Sequence, residues 1–431
     1  MGYEDRCFIE LLEKELIPAF GCTEPIALAY AAAYAREVLE TIPDKAEIIV
    51  SNSIIKNVKS VTIPNTNGLR GIESAVAAGI IGGKVEKRLE VIEDMTCEQI
   101  SDIIKYLQNA PIHVRASKSE EVFEIDVRAW SGKDCAEVKI IKEHMNVVLV
   151  KKNDTVIYKK ENQLEEEKGE EFLSIENILK FADNVPFQNI EFLIHRQVKY
   201  NMKIAEEGIK QEYGGAVGKT ILSCANGSVR EKARAYAAAG SDARMNGCTL
   251  PVVIVSGSGN QGITASVPII VYAREKGYDE ERMIRAIVIS DLLTIYQRQF
   301  IGRLSAYCGA VNAGCASVAG ISYLEGGGFK EVAHTLVNSL AAVSGIICDG
   351  AKSSCAAKIA SAIDAGFLGY TMYQNHKQFV GGDGIVTCDA DETVKNVGIL
   401  GREGMRQTDQ KIIDIMLKRT VNKNRNKNSV L

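Results

Sequence analysis

Between residues 305 and 366 the chain is so rich in alanine, glycine, serine and cysteine that few structures suit it. Side chains this small let helices approach backbone to backbone, at a density that larger residues prevent. Such a stretch makes a poor surface. It makes good sense as the buried centre of a helical domain wrapped around something compact.

The rest of the composition narrows the class. At 431 residues the chain exceeds one ordinary core, so two or three domains are expected. With 46% hydrophobic and 25% charged residues it is globular. A net charge of −4 argues against a dedicated binder of nucleic acid or of an anionic membrane. No run of 18 apolar residues free of charges and helix breakers is present, so no membrane-spanning helix is expected. Residues 1–15 mix charged and apolar residues like an amphipathic helix rather than a secretory signal. A soluble, cytoplasmic protein is therefore expected. In that setting the eleven cysteines do not form a disulfide framework. None belongs to a CxxC pair, which removes thioredoxin-like chemistry and the commonest structural zinc sites. The basic residues 418–431 read as a solvated tail.

Residues 4–17 and 25–40 read as helices around a break at 18–25, with Thr23 or Glu24 as a cap and Pro25 in the first helical turn. From 45 to 160 short β-rich runs take over, at 47–50, 112–116, 122–129, 135–141, 147–151 and 156–159. Asn153 and Asp154 mark a hairpin turn between the last two. Helices at 71–79 and 98–108 interrupt these runs. Residues 161–170 form a charged linker, beyond which helices follow at 175–183, 187–206, 228–246, 264–276 and 279–296. The fold class is α+β: a mainly helical domain over 171–431 and a smaller α/β domain over 45–160 with a largely antiparallel sheet. The N-terminal helices of 1–44 are expected to pack with the helical domain.

Four segments carry candidate chemistry. Cys308 and Cys315, and again Cys348 and Cys355, stand seven residues apart, nearly two helical turns. Core filling and metal or cluster binding both suit that spacing. Asp349 and Gly350 favour a loop around the second pair, and thiolates without CxxC suit an iron–sulfur cluster better than zinc. The run Ser256-Gly257-Ser258-Gly259-Asn260-Gln261-Gly262 opens a helix after an apolar stretch, so its N–H groups can hold a carboxylate or phosphate, or it is simply a tight turn. Cys22 precedes a helix start, where the dipole lowers a thiol pKa and makes it a usable base or nucleophile; a buried loop cysteine is the plainer alternative. Residues 52–57 and 62–68, dense in Asn, Pro and Gly, read as turns that can also offer amides to a polar substrate. The five histidines show no metal or triad spacing.

These same segments resemble the L-cysteine desulfidase family and, more distantly, the iron–sulfur L-serine dehydratases. The markers are FGCTEP at 20–25, NSIIKNVKSVTIPNTNG at 52–68, SGSGNQG at 256–262, and Cys308, Cys348 and Cys355 in that order. Cys308-Gly309-Ala310-Val311 resembles the CxAE-type segment of the dehydratases, and Ile347-Cys348-Asp349-Gly350 their TCDP-type segment. The resemblance implies a 4Fe-4S cluster held by Cys308, Cys348 and Cys355, with one iron not ligated by a protein cysteine. Cys315 is not a family ligand. Cys22 matches an additional cysteine near the substrate. Some dehydratases end in a cysteine; this chain ends Asn428-Ser429-Val430-Leu431, so no tail thiolate is expected on the open iron.

The reaction implied is an oxygen-sensitive β-elimination on L-cysteine, giving pyruvate, ammonia and sulfide. Cys22 or Glu24 is the expected base, and Thr23, Asn57, Asn65, Ser256, Ser258, Asn260 and Gln261 are the expected substrate contacts. A homodimer is the expected assembly, although the residues leave the number of subunits open. Three rival readings remain. One is serine dehydration on the same scaffold. Another is pyridoxal-phosphate elimination, with SGSGNQG as an asparagine loop, Gly326-Gly327-Gly328 as a phosphate cup and Lys219 or Lys232 upstream. The third is a non-catalytic iron–sulfur redox sensor. The pyridoxal reading requires alternating strands and helices, whereas 264–370 reads as helix after helix.

Overall fold

The computed structural model describes residues 2–119, 121–160, 172–224, 226–302 and 304–427, without the side chains of residues 3 and 417–427. The charged linker 161–170 and the last residues of the tail, 428–431, lie outside them. The fold is α+β, with a six-stranded sheet in the first half and a nest of helices in the second.

The sheet strands are β2 (Lys45–Val50), β3 (Ile112–Ala116), β4 (Glu124–Ser131), β5 (Asp134–Ile141), β6 (Val147–Lys152) and β7 (Thr155–Lys159), after a short β1 (Pro18–Phe20) outside it. Their spatial order is β3-β2-β4-β5-β6-β7; only β2 and β3 run parallel. Alternation dictates the faces. Ile125, Val127 and Ala129 of β4 and Ala136, Val138 and Ile140 of β5 are buried. The residues between them carry an ion-pair ladder on the other face, with Arg128 bonded to Asp126 and Glu137, and Lys151 to Glu137.

The helix Thr23–Leu39 lies against β4 and β5, with the helix Ile72–Gly82 beside it. The two approach so closely that a Cβ at Gly79 would lie 2.0 Å from the Ala29 carbonyl oxygen. The N-terminal segment is therefore divided between the two halves. Phe8, on the first helix (Tyr3–Glu15), stacks on Phe181 of the helix Ile175–Asn184. Strand β1 pairs antiparallel with β8 (Pro251–Val253), a pairing the sequence did not announce. The second helix, by contrast, covers the sheet.

In the second half the helices Gly259–Lys276 and Gly309–Leu324 are buried along nearly their whole length. Val229–Met245, Glu280–Ile301, Phe329–Val343 and Cys355–Gln374 surround them. The small residues expected at the centre make the contacts: Gly314 meets Ala362, and Gly366 meets Val318. Serines 174, 228 and 258 and Asp279 cap the helices they precede, each accepting a backbone N–H. One expectation fails. Residues 52–58 form a helix, Asn52–Val58, rather than turns. Ile54 and Val58 bury completely, and tertiary packing overrides the weak helix propensity of asparagine. The last described element is the helix Arg406–Lys427, into which the first part of the basic segment 418–431 falls, and its Asp409 pairs with the buried Lys56. Among the described residues no helix is long and apolar enough to cross a membrane.

Candidate active site

Three chain segments bring the cysteines together. Residues 306–308 run beside 346–348: the Cys308 N–H donates to the Ile346 carbonyl (3.2 Å), and the Cys348 N–H to the Ala306 carbonyl (2.6 Å). Cys355 opens the helix that follows, and the Lys352 N–H donates to its Sγ (3.4 Å). Cys308 and Cys355 are buried and Cys348 is partly buried. Burial pushes the Cys308 thiol up to about 12, and the neighbouring Cys348 and Cys355 add to the shift. Burial also raises Cys355, with Cys348 contributing. The three thiols therefore feel one another. Lys352 and Lys358 stand beside them, with Lys358 paired to Asp349. Cys315 is fully buried in the core inside the helix Gly309–Leu324, and no thiol contributes to the shift of its acidity.

This donor set fits an iron–sulfur cluster. Three free thiols meet beside two cations that offset thiolate charge. Among the described residues no three His, Cys, Asp or Glu side chains are spaced for a single metal ion. A cubane needs a wider opening, with thiolates roughly 6–7 Å apart.

The second part of the site is built on the start of the helix Thr23–Leu39. Cys22 is its N-cap residue and donates its thiol hydrogen to Glu24 Oε2 (3.1 Å). Thr23 Oγ1 lies 3.2 Å from the same oxygen and donates to the Gly257 carbonyl at 2.9 Å. Asn57 Nδ2 donates to Glu24 Oε1 (2.8 Å). The pair is buried, which reverses one expectation. Burial, followed by the charge of Glu24, holds the Cys22 thiol well above its usual range, and this outweighs the helix dipole. For Glu24, burial acts upward, but His144, the Cys22 thiol hydrogen, the helix N–H and Arg244 together leave its carboxyl below the usual range. The resting proton is on sulfur and the charge on Glu24.

The thiol and cluster parts adjoin. Cys22 packs in one apolar group with Val61, Met245, Cys355 and Ala351. A Cβ at Gly350 would fall 2.6 Å from the Lys56 carbonyl oxygen and 3.2 Å from Asn57 Oδ1. Only glycine fits that approach, and its φ of 90° demands glycine as well.

The 256–262 turn reaches the same place. Ser256 (φ 48°) and Gly257 (φ 76°) make the left-handed turn, and Ser258 caps the helix. Asn260 Oδ1 accepts from Arg244 Nη1 (3.2 Å). The Gln261 side chain lies over Gly309, next to Cys308, and its buried Oε1 has no hydrogen-bond partner. Asn65 is the exception among the expected contacts: its amide donates to the carbonyls of Ile92 (3.3 Å) and Glu93 (2.6 Å), so it serves a turn. Arg244, His144 and Lys352 belong to the site and carried no motif.

The segments named for pyridoxal phosphate lie otherwise. Lys219 and Lys232 pair at the surface with Glu212 and Glu275. Gly326–Gly328 line a shallow pocket of about 420 Å³ with Asp183, Asp279 and Arg282. Among the described residues, 259–343 are four consecutive helices without strands.

A family model described as serine dehydratase alpha chain matches residues 86–414. The chain is 48% identical to a UPF0597 protein of Desulfitobacterium hafniense over 97% of its own length and 98% of the relative's. It is 44% identical to a UPF0597 protein of Treponema denticola (95% and 97%) and 38% identical to one of Bacteroides fragilis (96% and 98%). With these relatives along its whole length, the chain belongs to the UPF0597 branch of the iron–sulfur serine dehydratase alpha-chain family, and that membership implies an iron–sulfur cofactor.

Proposed function

We propose that the chain is a cytoplasmic, oxygen-sensitive L-cysteine desulfidase that converts L-cysteine and water to pyruvate, ammonia and sulfide. Cys308, Cys348 and Cys355 would hold a 4Fe-4S cluster with one iron free of protein cysteine. When bound, the cluster supplies a Lewis acid for the departing sulfur. The observation that carries the choice of cysteine is the packed group of Cys22, Val61, Met245 and Cys355 beside the thiols. It is apolar and sulfur-rich, so it suits a thiol side chain better than a hydroxyl that needs a hydrogen-bond partner.

The chain's own groups supply the proton chemistry. Cys22 passes its hydrogen to Glu24 as its sulfur takes the substrate's α-proton, so the pair works as one base. Asn57 fixes the Glu24 carboxylate in the orientation this transfer needs. As the C–H electron pair forms the Cα–Cβ double bond, the C–S bond breaks and sulfide leaves. The aminoacrylate released tautomerises, and water hydrolyses it to pyruvate and ammonia without further help. A redox sensor would have no use for this buried acid–base pair.

The test is anaerobic reconstitution with iron and sulfide, followed by parallel assays for sulfide from L-cysteine and pyruvate from L-serine. A higher kcat/KM for cysteine supports the proposal. A higher value for serine replaces it with dehydration on the same machinery, the reading that the family match favours.

A further inference from the structure

Arg244 lies on the last turn of the helix Val229–Met245 and is only 5% exposed. Among the described residues its one hydrogen bond runs from Nη1 to the neutral Asn260 amide, its buried Nε has no partner, and no acidic side chain pairs with it. The neighbouring Glu24 carboxylate is already engaged: its Oε2 accepts from Cys22 and its Oε1 from Asn57. A buried guanidinium without a bonded anion is costly. The glycine-rich turn is nevertheless shaped to receive it. A Cβ on Gly259 would fall 2.3 Å from Arg244 Nε and 2.7 Å from Cζ, so any larger residue there would expel the guanidinium. The next residue, Met245, packs against Cys22. The charge of Arg244 reaches both members of the base pair. The cation thus stands between the 256–262 turn and the Cys22–Glu24 pair.

We propose that Arg244 binds the α-carboxylate of the amino-acid substrate, with Asn260 orienting its guanidinium. This inference rests on the amino-acid lyase reading above. It moves the carboxylate site from the backbone of the turn alone to a charged fork that matches the two oxygens of a carboxylate. A carboxylate there has the base pair for a neighbour, so the adjacent Cα–H is brought to the group that must take its proton. The site accepts amino acids and rejects the corresponding amines.

The test is calorimetric titration of the reconstituted protein with L-alanine, which has no leaving group, and with ethylamine, which lacks the carboxylate. The wild type is expected to bind L-alanine and not ethylamine. Arg244→Gln is expected to weaken L-alanine binding roughly 10- to 100-fold, the worth of a charge-assisted hydrogen bond, with iron content and circular dichroism unchanged. Arg244→Lys, which keeps the charge without the fork, is expected to fall between and carries the test if the glutamine variant fails to fold. The KM for L-cysteine should rise in step with the binding loss. Wild-type affinity for L-alanine in both variants overturns the assignment while leaving the lyase reading intact. If the wild type turns over neither cysteine nor serine yet loses L-alanine binding on Arg244→Gln, the lyase reading fails and the carboxylate site stands.

Discussion

Asn57 Nδ2 and Glu24 Oε1 lie 2.8 Å apart, joining the short helix Asn52–Val58 to the start of the helix Thr23–Leu39. The bond fixes the rotation of the carboxylate proposed to receive the proton. Asn57→Leu keeps roughly the volume and removes the donor. It is expected to lower kcat about 10-fold, the value of one hydrogen bond to a charged group, with iron content unchanged. Steady-state kinetics at matched iron content check this, and an unchanged kcat would show that Glu24 is held well enough by Cys22.

The same short helix depends on the end of the chain. Lys56, almost wholly buried, is paired with Asp409 of the helix Arg406–Lys427. Asp409→Ala strands a buried ammonium and is expected to cost about 3 kcal/mol of stability. Urea denaturation measures the loss. Limited proteolysis is expected to cut the C-terminal helix first in the variant, and unaltered stability would count the pair as incidental.

Much of this arrangement was legible in the sequence, and the gaps have physical causes. The helices beyond residue 171 announced themselves through spacing and capping residues such as Ser228 and Asp279, because caps and periodicity are local. The burial of the helix Gly309–Leu324 followed from the small side chains, whereas 325–331 and most of 341–354 lie partly or fully exposed. The helix at Asn52–Val58 was missed because asparagine favours turns until burial of Ile54 and Val58 decides otherwise. The β1–β8 pairing joins residues far apart in the chain, and no local signal specifies it. Arg244 looked like any arginine on a helix; only the fold reveals that it is buried behind Gly259. The acidity of Cys22 was misread for a related reason, since the dipole is visible in sequence whereas desolvation and the Glu24 charge are not.

The cysteines are expected to separate into two classes. Cys308→Ser, Cys348→Ser and Cys355→Ser should each lose iron on reconstitution, because a hydroxyl is a poor replacement for a thiolate ligand. Cys315→Ala should keep full iron and lose only about 1–2 kcal/mol, as for a small core truncation. Iron and sulfide analysis beside thermal melting distinguishes them. Loss of iron in Cys315→Ala would restore a four-cysteine site.

Asp291 gives the molecule a pH dependence remote from the site. It is buried on the helix Glu280–Ile301 and, among the described residues, bonded only to Gln197 Nε2 (3.0 Å); burial pushes its carboxyl from 3.8 up to about 8, against a smaller downward pull from Gln197. The folded state therefore keeps a proton that the unfolded chain releases. Stability is fully present below about pH 4 and is lost as pH rises toward 8, at up to about 1.4 kcal/mol per pH unit from this group. Asp291→Asn removes the ionisation while keeping an acceptor for Gln197. The variant is expected to melt at the wild-type temperature near pH 4 and progressively above it up to pH 8; a constant difference across that range counts against the shift.

The final expectation concerns the base. In the resting structure Cys22 donates to Glu24, and in the proposed mechanism neither residue acts alone: the sulfur needs the carboxylate to accept its hydrogen, and the carboxylate needs the sulfur to reach the α-proton. Cys22→Ser and Glu24→Gln are each expected to reduce kcat by on the order of 10²-fold or more, the usual cost of a lost general base. Groups that work as a unit are not additive, because the first loss removes what the second would remove. The double variant is therefore expected to be no slower than the worse single variant. Exchange of the α-hydrogen of L-alanine with deuterium, followed by NMR, reports the same step without a leaving group and should fall in parallel. Two independent roles would instead multiply, leaving the double variant slower by roughly the product of the two losses. Ordinary turnover in Cys22→Ser, with exchange intact, would assign proton removal to Glu24 alone and reduce the cysteine to part of the apolar group.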